Sequence, residues 1–351
     1  MTKLRPLLFS LFFFSFSAAI GQENKLLVNS DWDHEKHSWD AHWITHPTAS
    51  SIEYGVFLFR NKIELDQLPD SLVLHVSADM RYKFFVNGQM VSTGPAKGSY
   101  KFWRYESLDV GPYLKTGTNI LAVEVFNLGI HKPVAIFSRQ TAFILQAEGA
   151  LRDLNTPGNW KVVQNQAYRP IPVSGEDVGG YYVAGPTDSI QAGLFPWGWK
   201  EDNFDDDSWL QSRSLGKGTG RGYLHGVNWM LIPRNIPLLE SFKTRFAGIA
   251  RSSEPDIPDA FLRNEGDLLI PSNSEWSILL DQSELTVGYP TIRCSGGKGS
   301  TLKITYAEAL RDGEGTKGNR NELDGKELIG YHDVILPDGG DLREFQPLWL
   351  R

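Results

Sequence analysis

The stretch that decides the fold is Ser77-Ala78-Asp79-Met80-Arg81-Tyr82-Lys83-Phe84-Phe85-Val86-Asn87-Gly88-Gln89-Met90-Val91, followed at a distance by Asn119-Ile120-Leu121-Ala122-Val123-Glu124-Val125-Phe126-Asn127. Asn87-Gly88 between two apolar runs predicts a two-residue type I′ hairpin, because that turn needs positive φ at both central positions. The turn predicts that Val86 faces Gln89, Phe85 faces Met90 and Phe84 faces Val91. Apolar residues then fall on both faces, so the hairpin is expected to be covered on each side, as in a two-layer β structure. Thr116-Gly117-Thr118-Asn119 reads as a second turn that feeds a third strand.

Working outward, more short strands appear. Gly55–Ile63 is one, and 72–77 is another, with Leu72, Leu74 and Val76 on one face. Residues 141–147 and 160–163 follow. Short strands with turns every 8–12 residues, and no long helical period, predict a sandwich. From about residue 155 the pattern loosens, broken by Pro170, Pro172, Gly179-Gly180 and Pro186. Pro233-Arg234-Asn235-Ile236-Pro237 suits an extended connector. A second β region then opens, with strands expected at 276–281, 291–294, 301–306 and 332–336 and a charged, Gly-rich loop at 311–327. The expected layout is a leader over 1–21, a first sandwich over 22–235, a connector over 236–272 and a second sandwich over 273–351. Pro347-Leu348-Trp349-Leu350-Arg351 reads as an apolar strand, so the natural domain is expected to continue past Arg351 or to be covered by another chain.

Composition bounds the function. The 351 residues carry a net charge of −7 with no Lys/Arg block, which argues against nucleic acid and anionic membranes as partners. Lys3 and Arg5 precede an apolar run from Leu7 to Ile20 that ends in small residues before Gln22. That is the pattern of a secretory leader, so the chain is expected to be exported, periplasmic or extracellular, without a transmembrane anchor. Cys294 is the only cysteine, so no internal disulfide forms, and it reads as a buried structural thiol. Aromatic residues make up 12 %, with 11 Trp, which suits both sandwich cores and sugar-binding surfaces.

Motifs for chemistry are sparse. No nucleophile elbow, P-loop, H-E-x-x-H or dinucleotide fingerprint is present. His34, His37, His42 and His46 cluster, but Pro47 and the scattered Trp read as an irregular lead-in rather than a metal helix. The acidic run 201–207 lacks the spacing of an EF-hand loop and reads as a solvated turn that carries Phe204 and Trp209 inward. Glycosidases need two carboxylates across a sugar, and no spacing selects such a pair, so no catalytic residue is nominated. Trp103, Trp197, Trp199 and Asp202 are the candidate carbohydrate contacts, as aromatic and polar groups near loops.

The blocks Ser77–Gly88, Gly94-Pro95 and Lys115–Val123 resemble the N-terminal β-sandwich of bacterial α-L-rhamnosidases of glycoside hydrolase family 78. So do Pro233–Pro237, Tyr289-Pro290, Gly296–Gly299, Tyr306–Leu310, Lys317–Arg320 and Pro347–Arg351, in that order, for the connector and second sandwich. The resemblance implies an all-β fold of two tandem jelly-roll, galactose-binding-like sandwiches with little helix. It implies a carbohydrate-recognising portion that braces a catalytic (α/α)6 barrel and is inactive alone, because the cleaving carboxylates of that family lie in the barrel that follows. It further implies a rhamnose-containing glycan as partner and, from some relatives, Ca2+. A free-standing lectin-like protein and a scaffold docking on a catalytic partner remain as alternatives.

Overall fold

A computed structural model describes residues 7–9, 27, 39–149, 151–222 and 229–351 of the chain. These form two units: residues 20–166 with 196–239, and residues 1–19 with 167–195 and 240–351. Both are built from β-sheet, with only short helical turns such as Gly175–Val178 and Asp259–Arg263. The leader expected over 1–21 lies outside the described residues, except that Leu7–Phe9 runs antiparallel to both Leu268–Ile270 and Ile292–Ser295.

The first unit is a sandwich. Its six-stranded sheet has the order Leu210–Gln211, Lys161–Gln164, Gly55–Leu65, Gly117–Asn127, Arg81–Val86, Gln89–Gly94. The two central strands pair along their whole length, from Gly55 opposite Asn127 to Leu65 opposite Gly117. The opposing sheet contains, among others, His42–Thr45, Ala142–Ala147, Val73–Asp79, Trp103–Asp109 and Met230–Pro233. Period-2 alternation puts Phe57, Phe59, Tyr82, Phe84, Leu121 and Val123 into one interior with Leu74, Val76, Leu108, Phe143 and Leu145. Each such buried side chain contributes roughly 1.5–3 kcal/mol against entropy.

The hairpin forms as its sequence predicts, with φ of 50° at Asn87 and 78° at Gly88. Val86 faces Gln89 and Phe85 faces Met90, but Phe84 faces Ser92 rather than Val91. A β-bulge inserts the extra residue and lets Val91 join the interior. The other face of the hairpin is covered too: Phe85 is buried, with Trp199 edge-on at 5.9 Å and the Lys200 ammonium 4.5 Å from its ring centroid. A second aromatic layer, with Trp39, Trp43, Trp103, Tyr105 and Trp229, packs on the other side of the seven-stranded sheet.

Two buried polar groups tie this sandwich together. The Glu106 carboxylate accepts hydrogen bonds from the Tyr82 hydroxyl at 2.8 Å, the Ala96 amide at 2.8 Å and Arg234 at 3.1 Å. His75 places Nδ1 2.9 Å from the Ser107 hydroxyl and Nε2 3.0 Å from Glu148, between the edges of Trp39 and Tyr105.

The second unit departs from the layout expected from the sequence. Tyr168–Ile171 and Thr187–Gln191 belong to it, in one sheet with Tyr331–Leu336 and Leu302–Tyr306. Thr187–Gln191 runs parallel to Tyr331–Leu336, Ser189 opposite Val334. Pro170 looked like a breaker, yet it is tolerated because its strand ends the sheet and needs donors on one side only. The span 236–272 is likewise more than a connector, since it supplies the strands Gly248–Ser252 and Leu268–Ile270. Residues 347–351 form no strand; Arg351 instead exchanges two backbone hydrogen bonds with Gly288. Its guanidinium, almost fully buried, bonds Asp188 at 2.9 Å and Asp333 at 2.7 Å. Tyr306 donates to Asp333 at 2.8 Å, and the Leu348 amide donates to Asp188 at 2.8 Å. Cys294 is buried as expected, and burial pushes its thiol up to about 12.

His75 generates a pH prediction. Burial lowers its pKa to about 4, against a smaller opposing pull from Glu148. The unfolded chain then binds a proton at about pH 6.5 that the folded chain refuses until about pH 4. Stability is therefore full above the unfolded value and falls through that window by about 3 kcal/mol. Urea denaturation across the window is expected to show this loss, and His75→Gln to flatten it; an equal slope in both proteins rules out the assignment.

Candidate functional site

The strands of the first sandwich leave one end together. Asp79 lies opposite Ala142, Tyr82 opposite Gly94, and Gly55 opposite Asn127. The loops 95–102 and 128–141 and the turn after Asp79 therefore gather at this end. The segment 128–137 is apolar yet open: Ile130 is 90 % and Val134 95 % exposed. Phe137, Phe102 and Tyr100 are also exposed. Tyr100 lies parallel to Trp103, with ring centroids 6.2 Å apart, and meets Phe137 edge-on at 5.6 Å. Its hydroxyl donates to the Ser138 carbonyl, which holds the ring in place. The Arg221 guanidinium sits 4.3 Å from the Phe102 ring centroid.

Beneath this aromatic group lies Asp79, wholly buried. One carboxylate oxygen accepts from the Arg139 amide at 2.7 Å, the Gln140 amide at 3.3 Å and the Trp229 indole at 3.0 Å. The other oxygen, Oδ1, has no hydrogen-bond partner among the described residues. Burial pushes the Asp79 carboxyl up, opposed by the nearby Ser138 side chain and by the hydrogen bonds from Arg139, Trp229 and Gln140. Trp229 in turn packs on Trp43 at 4.7 Å. Flat rings exposed at a loop end can stack on the C–H face of a sugar.

The candidates from sequence fall elsewhere. Trp103 is 4 % exposed and donates to the Ala78 carbonyl at 3.3 Å, so it supports Tyr100 from below and shows no ring face to solvent. Trp199 is 2 % exposed, between Phe85 and Trp209. Trp197 is half-buried. Asp202 is exposed and lies 3.5 Å from Lys115. It borders a cleft of about 410 Å3 lined also by Arg60, Lys62, Asn159, Lys161 and Phe204, with Asp205, Asp206 and Asp207 along it. This run is a clasp. The buried Arg60 guanidinium bonds the Trp199 carbonyl at 3.1 Å, the Glu201 carbonyl at 2.7 Å and the Asp206 carboxylate. Lys161 bonds Asp206 at 2.7 Å, and together with Arg60 it outweighs burial and holds that carboxyl below its ordinary range. As read from sequence, Trp209 is buried and Phe204 half-buried.

Among the described residues no three His, Cys, Asp or Glu side chains gather to hold a metal. His34 and His37 lie outside the described residues. His42 is 2.8 Å from the Ser214 hydroxyl, and His46 accepts from the Thr48 and Ala49 amides. Among the described residues, no helix is long and apolar enough to cross a membrane.

No family model and no curated protein matches this chain. Solved structures do. A GH78 family rhamnosidase of Bacillus sp. GL1 shares 27 % identity at a TM-score of 0.51, over 62 % of this chain and 22 % of that one. The chain has the fold of part of a GH78 rhamnosidase. The α-L-rhamnosidase of Aspergillus terreus matches at a TM-score of 0.55 and 17 % identity, over 88 % of this chain and 32 % of that one. The Streptomyces avermitilis α-L-rhamnosidase, solved with L-rhamnose, matches at 0.53 and 17 % identity, over 85 % and 26 %. The chain thus spans between about a fifth and a third of the length of these enzymes.

The sequence reading missed Asp79, Tyr100, Phe102 and Phe137. A signal was present in the apolar segment 128–137, which separates two strands where polar residues are the rule. Asp79→Ala strands two backbone amides and an indole and is expected to cost about 3 kcal/mol, whereas Asp79→Asn keeps an acceptor and costs less. Urea denaturation of both variants tests this; an unchanged midpoint for the alanine variant would show that Asp79 does not hold the loop.

Proposed function

We propose that the chain is the carbohydrate-recognising and barrel-supporting portion of an exported α-L-rhamnosidase-like glycoside hydrolase, and that it binds glycan without cleaving it. The observation that carries the reading is the open end of the first sandwich, where Tyr100, Phe102 and Phe137 stand exposed above the buried Asp79. Exposed flat rings match the C–H face of a sugar, and the buried Asp79 fixes the loop beside them through the Arg139 and Gln140 amides. The fold shared with part of the rhamnosidases supports rhamnose as the sugar to test first, since one of those relatives was solved with it. Rhamnose also carries a methyl group, which suits the neighbouring Ile130 and Val134.

Binding and cleavage separate in this reading. The resemblance implies that the cleaving carboxylates lie in a barrel following the sandwiches, and on this reading the chain positions substrate and braces that barrel. The leader read at residues 1–21 sends it out of the cytoplasm, where polysaccharide is met.

Calorimetry of the chain with L-rhamnose and short rhamnosides is expected to show weak, saturable binding, reduced about tenfold or more by Tyr100→Ala or Phe137→Ala, consistent with loss of one aromatic contact. No heat at millimolar sugar in the unaltered protein removes the recognition role. Release of the aryl group from an aryl α-L-rhamnoside by the purified chain overturns the assignment of binding without cleavage.

A further inference from the structure

The charges around the same open end do not follow the charge of the chain. The protein carries −7 overall. Yet Lys97, Lys101, Arg104, Lys132, Arg139 and Arg221 lie on the loops that meet here, or on the strand leading from them. The carboxylates of these loops and of 46–54 are Glu53 and the buried Asp79. Elsewhere in the same unit several cations are matched: Arg60 and Lys161 with Asp206, Lys83 with Glu124, Lys115 with Asp202, Arg152 with Asp40, Arg234 with Glu106. Among the described residues, no carboxylate forms an ion pair with Lys97, Lys101, Arg104, Lys132 or Arg221. Arg104 is turned by a bond to the Lys97 carbonyl at 2.6 Å, and Arg221 is held over Phe102, so two of these cations have fixed places beside the exposed rings.

We propose that this end of the first sandwich takes an anionic glycan, a saccharide whose chain carries carboxylates such as uronate residues, with the aromatic rings stacking on a sugar and the surrounding Lys and Arg meeting the carboxylates on either side. This rests on the carbohydrate reading above and specifies its ligand class. An excess of unmatched cations on an acidic protein creates a local positive field that selects anionic ligands and repels none of them at the mouth. The guanidinium of Arg221 is suited to a carboxylate because its planar fork gives two parallel hydrogen bonds while the ring below keeps it flat.

The test uses the whole chain and three probes: an oligogalacturonate, the same oligosaccharide with its carboxyls reduced to alcohols, and vesicles of anionic phospholipid. The oligogalacturonate is expected to bind about tenfold more tightly than its reduced form at low salt, and the difference is expected to shrink as salt is added. In Lys101→Gln/Lys132→Gln, both exposed positions, the ratio of the two affinities is expected to fall toward one. Equal affinity for the two oligosaccharides, or a ratio unchanged in the double variant, overturns the anionic ligand and leaves sugar recognition standing. Binding of neither oligosaccharide, nor of rhamnose, overturns both readings. Binding of the vesicles alone assigns the face to a membrane and overturns both as well.

Discussion

The first sandwich depends on one buried carboxylate. Glu106 is fully enclosed; burial pushes its carboxyl up, and donors from three separate parts of the chain converge on it to oppose that cost. Tyr82 comes from the hairpin, Ala96 from the loop that leads to Tyr100, and Arg234 from the segment after Met230–Pro233. Arg234 also donates to the carbonyls of Ile236 and Pro237, so the same ion orders the chain as it leaves the sheet. The geometry tolerates no bulk: a Cβ on Gly94 would lie 2.6 Å from the Glu106 carboxylate and 2.7 Å from the Tyr82 ring. The open end with its aromatic group is therefore set by contacts made inside the sheet below it.

A second enclosed charge plays the corresponding part in the other unit. Arg351 meets Asp188 and Asp333, and those two carboxylates sit on strands that run parallel to each other, Thr187–Gln191 and Tyr331–Leu336. The Asp188 amide donates to Asp333 at 2.7 Å, so backbone and side chains close the same knot. Burial alone would lower the Arg351 pKa, but the two carboxylates keep it above its ordinary value. Breaking any member would leave an uncompensated charge in the interior, which is why such groups hold an arrangement more strictly than apolar packing does.

Local pattern explains what could be read from the chain beforehand. Asn87-Gly88 had one turn available, and alternation along Val73–Asp79 put Leu74, Val76 and Ala78 inward. These follow from φ preference and period two, which are properties of neighbours in sequence. The bulge opposite Phe84 was not legible, because one extra residue in a strand leaves the apolar pattern nearly unchanged. The membership of 168–191 in the second unit was not legible either. A parallel pairing across more than a hundred residues has no local signature, and Pro170 pointed the other way. The burial of the candidate aromatic residues was not legible for a related reason. Tryptophan was taken as the sugar-facing aromatic, but a large ring gains most by full burial, and Trp103, Trp199 and Trp229 are interior while Tyr100, Phe102 and Phe137 stay outside.

The division of labour among the aromatic residues also bears on how a sandwich acquires a binding face. Trp103 and Trp229 fill the layer on the seven-stranded sheet and give Tyr100 and Asp79 fixed neighbours. Tyr100 is thereby held in place by Trp103, Phe137 and the Ser138 carbonyl. The cations around them cost the fold little, because they are solvated and not enclosed. Contrast Arg60, whose charge is spent on two carbonyls and Asp206 in holding the acidic run against the sheet. Enclosed charges in this molecule build the frame, whereas Lys97, Lys101 and Lys132 at the open end form no ion pair among the described residues.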